Sequence, residues 1–95
     1  MSPPRYALVW TRTFERTLRE FLRRHPDLAG EVADVLRQLE IDPCAPRLRL
    51  HSPKGLHSDK HAVSLTYSQR LVLILKTTPK EVVLLDIGDH DHAYR

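Results

Sequence analysis

The 95-residue sequence predicts an α+β fold of order β-α-α-β-β-β-β, with a helical hairpin packed on one face of a small, mostly antiparallel twisted sheet. Three observations carry this reading. Apolar residues between Phe14 and Leu39 recur with the period of a helix, residues 61–67 alternate with the period of a strand, and prolines stand where the period changes. A run of helices followed by a run of strands puts both helices on the same side of an antiparallel sheet.

Tyr6-Ala7-Leu8-Val9-Trp10 reads as a short first strand. Thr11 or Thr13 can cap the helix that follows, because a side-chain oxygen takes up an orphan backbone N–H. Phe14, Leu18, Phe21 and Leu22 make its apolar stripe, with Arg12, Arg16, Arg19, Glu20 and Arg23 largely off it. His25-Pro26 ends this helix, since a residue before proline is pushed away from helical dihedrals. Pro26 can open the next helix, whose stripe is Leu28, Val32, Val35, Leu36 and Leu39 and whose stop is Asp42-Pro43. Arg47-Leu48-Arg49-Leu50 reads as a short strand with its arginines on one face. His61–Tyr67 is a half-buried strand, and Ser68-Gln69 a tight turn into the nearly continuous apolar run Arg70–Leu75. Glu81–Ile87 is the last strand, with Leu71, Leu73, Leu84 and Ile87 at the sheet's centre.

Ninety-five residues suit a single domain, 1–95. No apolar run reaches the roughly 18 residues of a membrane span, and Met1–Arg5 has no apolar signal core. A lone Cys44 between Pro43 and Pro46 cannot form an internal disulfide, which suits a reducing cytoplasm. Lys and Arg outnumber Asp and Glu by 15 to 12, and the excess is local. Arg47, Arg49, Lys54, Lys60 and Arg70 face a single acid, Asp59, in residues 44–70, with His51, His57 and His61 among them. A basic field of this kind favours a polyanion such as RNA, or an acidic protein segment. Gly88–Arg95 is too polar for core and follows the strongest strand, a suitable place for chemistry.

Lys54-Gly55-Leu56, the alternating strand, Arg70-Leu71-Val72, and Ile87-Gly88-Asp89-His90 with Tyr94 four residues on together resemble the RelE/ParE toxin superfamily. The likeness spans nearly the whole chain and is nearest to the RelE and YafQ mRNA interferases of type II toxin–antitoxin systems. The resemblance implies a toxin that enters the ribosomal A site, cuts mRNA and is held in a hetero-oligomer by a cognate antitoxin. It implies no cofactor. His90 matches the catalytic His of YafQ-like enzymes, Tyr94 their aromatic, and Arg70 the phosphate-contacting Arg of RelE. His61 falls where RelE has a catalytic Lys, and His51 where YafQ-like enzymes have a His. Ser64 and Ser68 stand in the stretch where YafQ carries a His-and-Asp pair, which is a departure.

RNA can be cut without a metal because its 2′-hydroxyl is a built-in nucleophile. The protein must take that proton, neutralise the phosphorane and protonate the leaving 5′-oxygen. Histidine suits the proton transfers and arginine the phosphate. On this reading His90 is the general acid, Arg70 the phosphate clamp, and Tyr94 a stacking platform or proton-handling hydroxyl. His61 or His51 is the base, with His61 preferred for its place on a strand, and Arg47, Arg49, Lys54 and Lys60 contact RNA backbone. His25 and His57 read as surface residues. Two other classes stay open: a zinc-dependent hydrolase using Asp89, His90 and His92, and a ParE-like gyrase poison. The latter has no need of His90.

Overall fold

The computed structural model describes residues 5–52 and 59–89. Strand β1 (Ala7–Trp10) leads into helix α1 (Arg12–Arg24), and a 3₁₀ turn at Pro26–Leu28 leads into α2 (Ala29–Ile41). A second 3₁₀ turn, Pro46–Leu48, precedes β2 (Lys60–Ser64), β3 (Gln69–Thr77) and β4 (Lys80–Asp89). The sheet order is β1-β4-β3-β2, antiparallel between consecutive strands and parallel where β1 meets β4. The last strand is therefore interior, flanked by the first strand and by its own hairpin partner.

Thr11, not Thr13, caps α1. Its backbone is extended and its hydroxyl oxygen accepts from the Phe14 amide at 3.1 Å, while the hydroxyl proton goes to the Leu84 carbonyl at 2.7 Å. One side chain thus satisfies a helix end and ties it to β4. Helix α1 ends at His25, before Pro26. Pro26 opens the short 3₁₀ turn, so α2 starts three residues later than the proline alone suggests.

Phe14 and Phe21 of α1 and Val32, Val35 and Leu39 of α2 are buried against Leu71, Leu73, Val82, Leu84 and Ile87 of the sheet. Burying a side chain of this size contributes about 1.5–3 kcal/mol each, which is what holds the helices down. Leu18 and Leu36, expected in the core, are only partly buried at its rim.

Strand β4 changes the face it presents partway along. Leu73 pairs with Leu84 and Val72 with Asp86, so Leu85 is left as the extra residue of a β-bulge. Without it Leu84 and Ile87, three apart, would point to opposite faces. With it both enter the core, and Asp86 and Gly88 fall on the face turned away from the helices.

Two expectations are corrected. Residues 47–50 are not a strand: Pro46 starts a 3₁₀ turn that plugs Leu48 into the core, and Arg49 is left-handed, at φ 53°. Among the described residues beyond it, only His51 pairs with the sheet, bridging Ala62 of β2. The described sheet therefore has four strands. Strand β2 also ends early, at Ser64, and the link to β3 is a four-residue bend, Leu65–Ser68, closed by the Leu65 amide on the Gln69 carbonyl at 3.0 Å.

Leu39→Ala should destabilise the domain by about 2–5 kcal/mol, and Leu36→Ala by less than about 2 kcal/mol, because only the former empties a closed site. Urea unfolding checks this, and equal losses would contradict the packing described.

Candidate functional site

The helices cover one face of the sheet. On the other, strand pairing aligns side chains in rows. One row runs Asp86, Val72, Ala62 and His51, and the next runs Gly88, Arg70 and Ser64. Gly88, itself buried, brings no side chain to that second row.

A cleft of about 590 Å³ lies at one end of this face, lined by Arg47, Arg49, Ser64, Leu65, Thr66, Tyr67, Ser68 and Arg70. The volume falls within the usual range of ligand sites, about 300–1,000 Å³. Among the described residues, three guanidinium groups and no carboxylate line it, and these arginines make the field there positive. Arg47 stands in the Pro46–Leu48 3₁₀ turn and the left-handed Arg49 ends it, and both side chains line the cleft.

Arg70 is held in place. Its Nη1 donates to the carbonyls of Thr66, Tyr67 and Gln69, each at 3.2 Å, while Nε is buried with no hydrogen-bond partner among the described residues. The bend is fastened further along. The Thr66 hydroxyl donates to Gln69 Oε1, and Gln69 Nε2 donates to Asp89 Oδ1 at 3.2 Å. The same Asp89 oxygen lies 3.8 Å from Nε2 of His25, at the end of α1. Polar contacts thus link the helical hairpin, the end of β4 and the rim of the cleft.

His51 is exposed, beside Arg49 in sequence and on the edge of β2 through its bridge to Ala62. Its Nδ1 is 2.7 Å from the Arg49 carbonyl. A carbonyl only accepts, so Nδ1 is the donor in this contact.

The other expected residues are distributed as follows. Arg47, Arg49 and Arg70 come together in the cleft. Lys60 is on the open face, opposite Ile74 and two rows from Ser64. His61 is not brought to Arg70. It alternates with Val63 and Leu65, both in the core, so it faces the helix side, and its Nδ1 is buried without a partner among the described residues. His90, Tyr94, Lys54 and His92 lie outside the described residues. Asp89, the remaining member of the zinc set, is engaged with Gln69 and His25, and the described residues contain no group of three metal-ligating side chains. Thr66 and Tyr67 were not anticipated. They read as strand, and only the alternation running past Leu65 into polar residues hinted at a bend.

No protein-family model matches the sequence, and no curated protein is significantly similar to it. Solved structures do match. The YoeB/ParE toxin from Agrobacterium tumefaciens is 18% identical with a TM-score of 0.73, over 88% of this chain and 98% of that one. YafQ from E. coli strain BL21(DE3) is 12% identical with a TM-score of 0.77, over 95% of this chain and 99% of the other. YafQ in the E. coli DinJ–YafQ toxin–antitoxin complex is 14% identical with a TM-score of 0.75, over 96% and 99%. The fold is that of the RelE/YafQ-type toxins. Among the described residues no helix is long and apolar enough to cross a membrane.

Replacing Arg70 by Met should loosen the bend, because three carbonyls lose their common donor and each such bond is worth about 0.5–1.5 kcal/mol net. Amide exchange at Leu65, whose N–H closes the bend, should accelerate on the order of ten-fold. Unchanged protection there, followed by NMR, would show that the guanidinium does not hold the bend.

Proposed function

We propose that this chain is the toxin of a type II toxin–antitoxin pair and a metal-independent endoribonuclease that cuts mRNA on the ribosome. The single observation carrying this reading is the arginine-lined cleft on the face turned away from the helices. The fold shared with YafQ and with the Agrobacterium toxin supports it. So does the antitoxin partner that YafQ has in its complex with DinJ. A basic surface of this kind suits an acidic antitoxin segment.

The chemistry follows from the residue types. His51 Nε2 accepts the 2′-hydroxyl proton, and the 2′-oxygen attacks the adjacent phosphorus. The bond from phosphorus to the 5′-oxygen breaks, and the leaving oxygen takes a proton from His90, the residue directly after β4. The products are a 2′,3′-cyclic phosphate and a 5′-hydroxyl. Arg70, with Arg49 and Arg47, offsets the charge that builds on the non-bridging oxygens. A general base on the helix side of the sheet is of no use to a phosphate bound on the open side, so the role passes from His61 to His51. Tyr94 keeps the stacking role, and Lys54 and Lys60 the RNA backbone, that the family resemblance gives them.

Three outcomes test this on translating ribosomes. His90→Ala should lower the cleavage rate on the order of 10²–10⁴-fold. Arg70→Lys should recover only part of what Arg70→Ala loses, because an ammonium cannot replace the planar fork. EDTA should leave the rate unchanged, and the 3′ ends should be cyclic phosphates. In cells, expression of the chain should arrest growth, and co-expression of the neighbouring gene product should relieve it. A His90→Ala protein that stays fully toxic while no RNA is cut would overturn the nuclease reading.

A further inference from the structure

Tyr67 is 98% exposed, the most exposed of the large apolar residues described. An aromatic ring left wholly in water on an ordered bend gains nothing for the fold, since it packs on nothing. Its backbone is nonetheless well fixed. The Tyr67 carbonyl accepts from Arg70 Nη1 at 3.2 Å, the Ser68 amide after it lies 3.4 Å from the Thr66 hydroxyl oxygen, and the Leu65–Gln69 contact closes the bend beneath. The bend therefore displays the ring at the rim of the cleft that Arg47, Arg49 and Arg70 line. A guest that fits must be anionic where it meets the guanidiniums and flat where it meets the ring. A nucleotide has both features, one bond sequence apart.

We propose that Tyr67 is a stacking platform, separate from that assigned to Tyr94, for an unpaired base of the RNA whose phosphates occupy the arginine cleft. This rests on the ribonuclease reading and adds a base subsite to it. Base-on-aromatic stacking is tolerant of sequence because every base has a π-face, and a base inside a duplex is not available for it. The substrate class is therefore single-stranded RNA, held by charge on one side and by the ring on the other. Arg70 couples the two, since the guanidinium that lines the cleft also fastens the Tyr67 carbonyl. Removing the ring removes binding without removing charge.

The test is binding of a fluorescent, fully 2′-O-methylated single-stranded RNA, which cannot be cut, measured by anisotropy across a salt series with the full chain. Tyr67→Ala should weaken binding roughly 5- to 100-fold and leave the salt dependence as in wild type, because no counterion is released by stacking. Tyr67→Trp should rescue it. Arg49→Gln should instead reduce the salt slope by about one. A thermal midpoint equal to wild type shows that Tyr67→Ala is folded, as expected for a side chain in water. Wild-type binding with Tyr67→Ala equal to it, or a Tyr67→Ala loss that Trp does not rescue, overturns the stacking role and leaves the nuclease reading standing. Wild-type preference for the same RNA as a duplex also overturns it. Failure of wild type to bind RNA, with binding of an acidic peptide in its place, overturns the nuclease reading and this inference together.

Discussion

The extra residue in β4 is the constraint on which the rest depends. Leu84 must reach the core beneath α1, and its carbonyl must meet the Thr11 hydroxyl that starts that helix. Ile87 must reach the core as well, opposite Leu71. Strict alternation cannot satisfy both. The bulge at Leu85 does, and so determines the face on which every later residue of the strand stands. Gly88 falls opposite Arg70 on the open side, and Asp89 falls on the helix side, where His25 and Gln69 meet it. A one-residue change in this strand would exchange those positions and set a side chain opposite Arg70 in place of Gly88.

Arg70 has two uses that do not compete. Hydrogen bonding through Nη1 fixes the bend, yet the positive charge is delocalised over the whole guanidinium and remains in the cleft. A lysine at this position keeps the charge and loses the fork. The side chain's own anchoring also limits how far it can follow a ligand, so a bound phosphate meets a group already set in place, with little ordering left to do.

Much of the architecture was legible because burial imposes periods on the sequence. Phe14, Phe21, Val32, Val35 and Leu39 were readable as helix faces, and the prolines at 26 and 43 marked the helix ends. The misreading of residues 47–50 has a physical origin: Arg-Leu-Arg-Leu alternates like a strand, but here Leu48 is held by a 3₁₀ turn and only it goes fully inside. Pro46 was the available signal, since proline is well suited to the first position of a helical turn. At the cleft, Arg47 and Arg49 were picked out by local charge, and Arg70 by the family resemblance as well. The face of His61 was also legible, because it shares its parity with Val63 and Leu65. The bend that displays Tyr67 was not, because it depends on carbonyls gathered by a side chain that follows it in the chain.

The pairing of the first strand with the last has a consequence for synthesis. Among the described residues, strand β1 has no partner but β4, and β4 also separates it from β3. A growing chain can form its two helices early, but they have no floor until residues 80–89 leave the ribosome. Until that strand is in place, neither the bulge nor the pairing that aligns Arg70 with Gly88 can form.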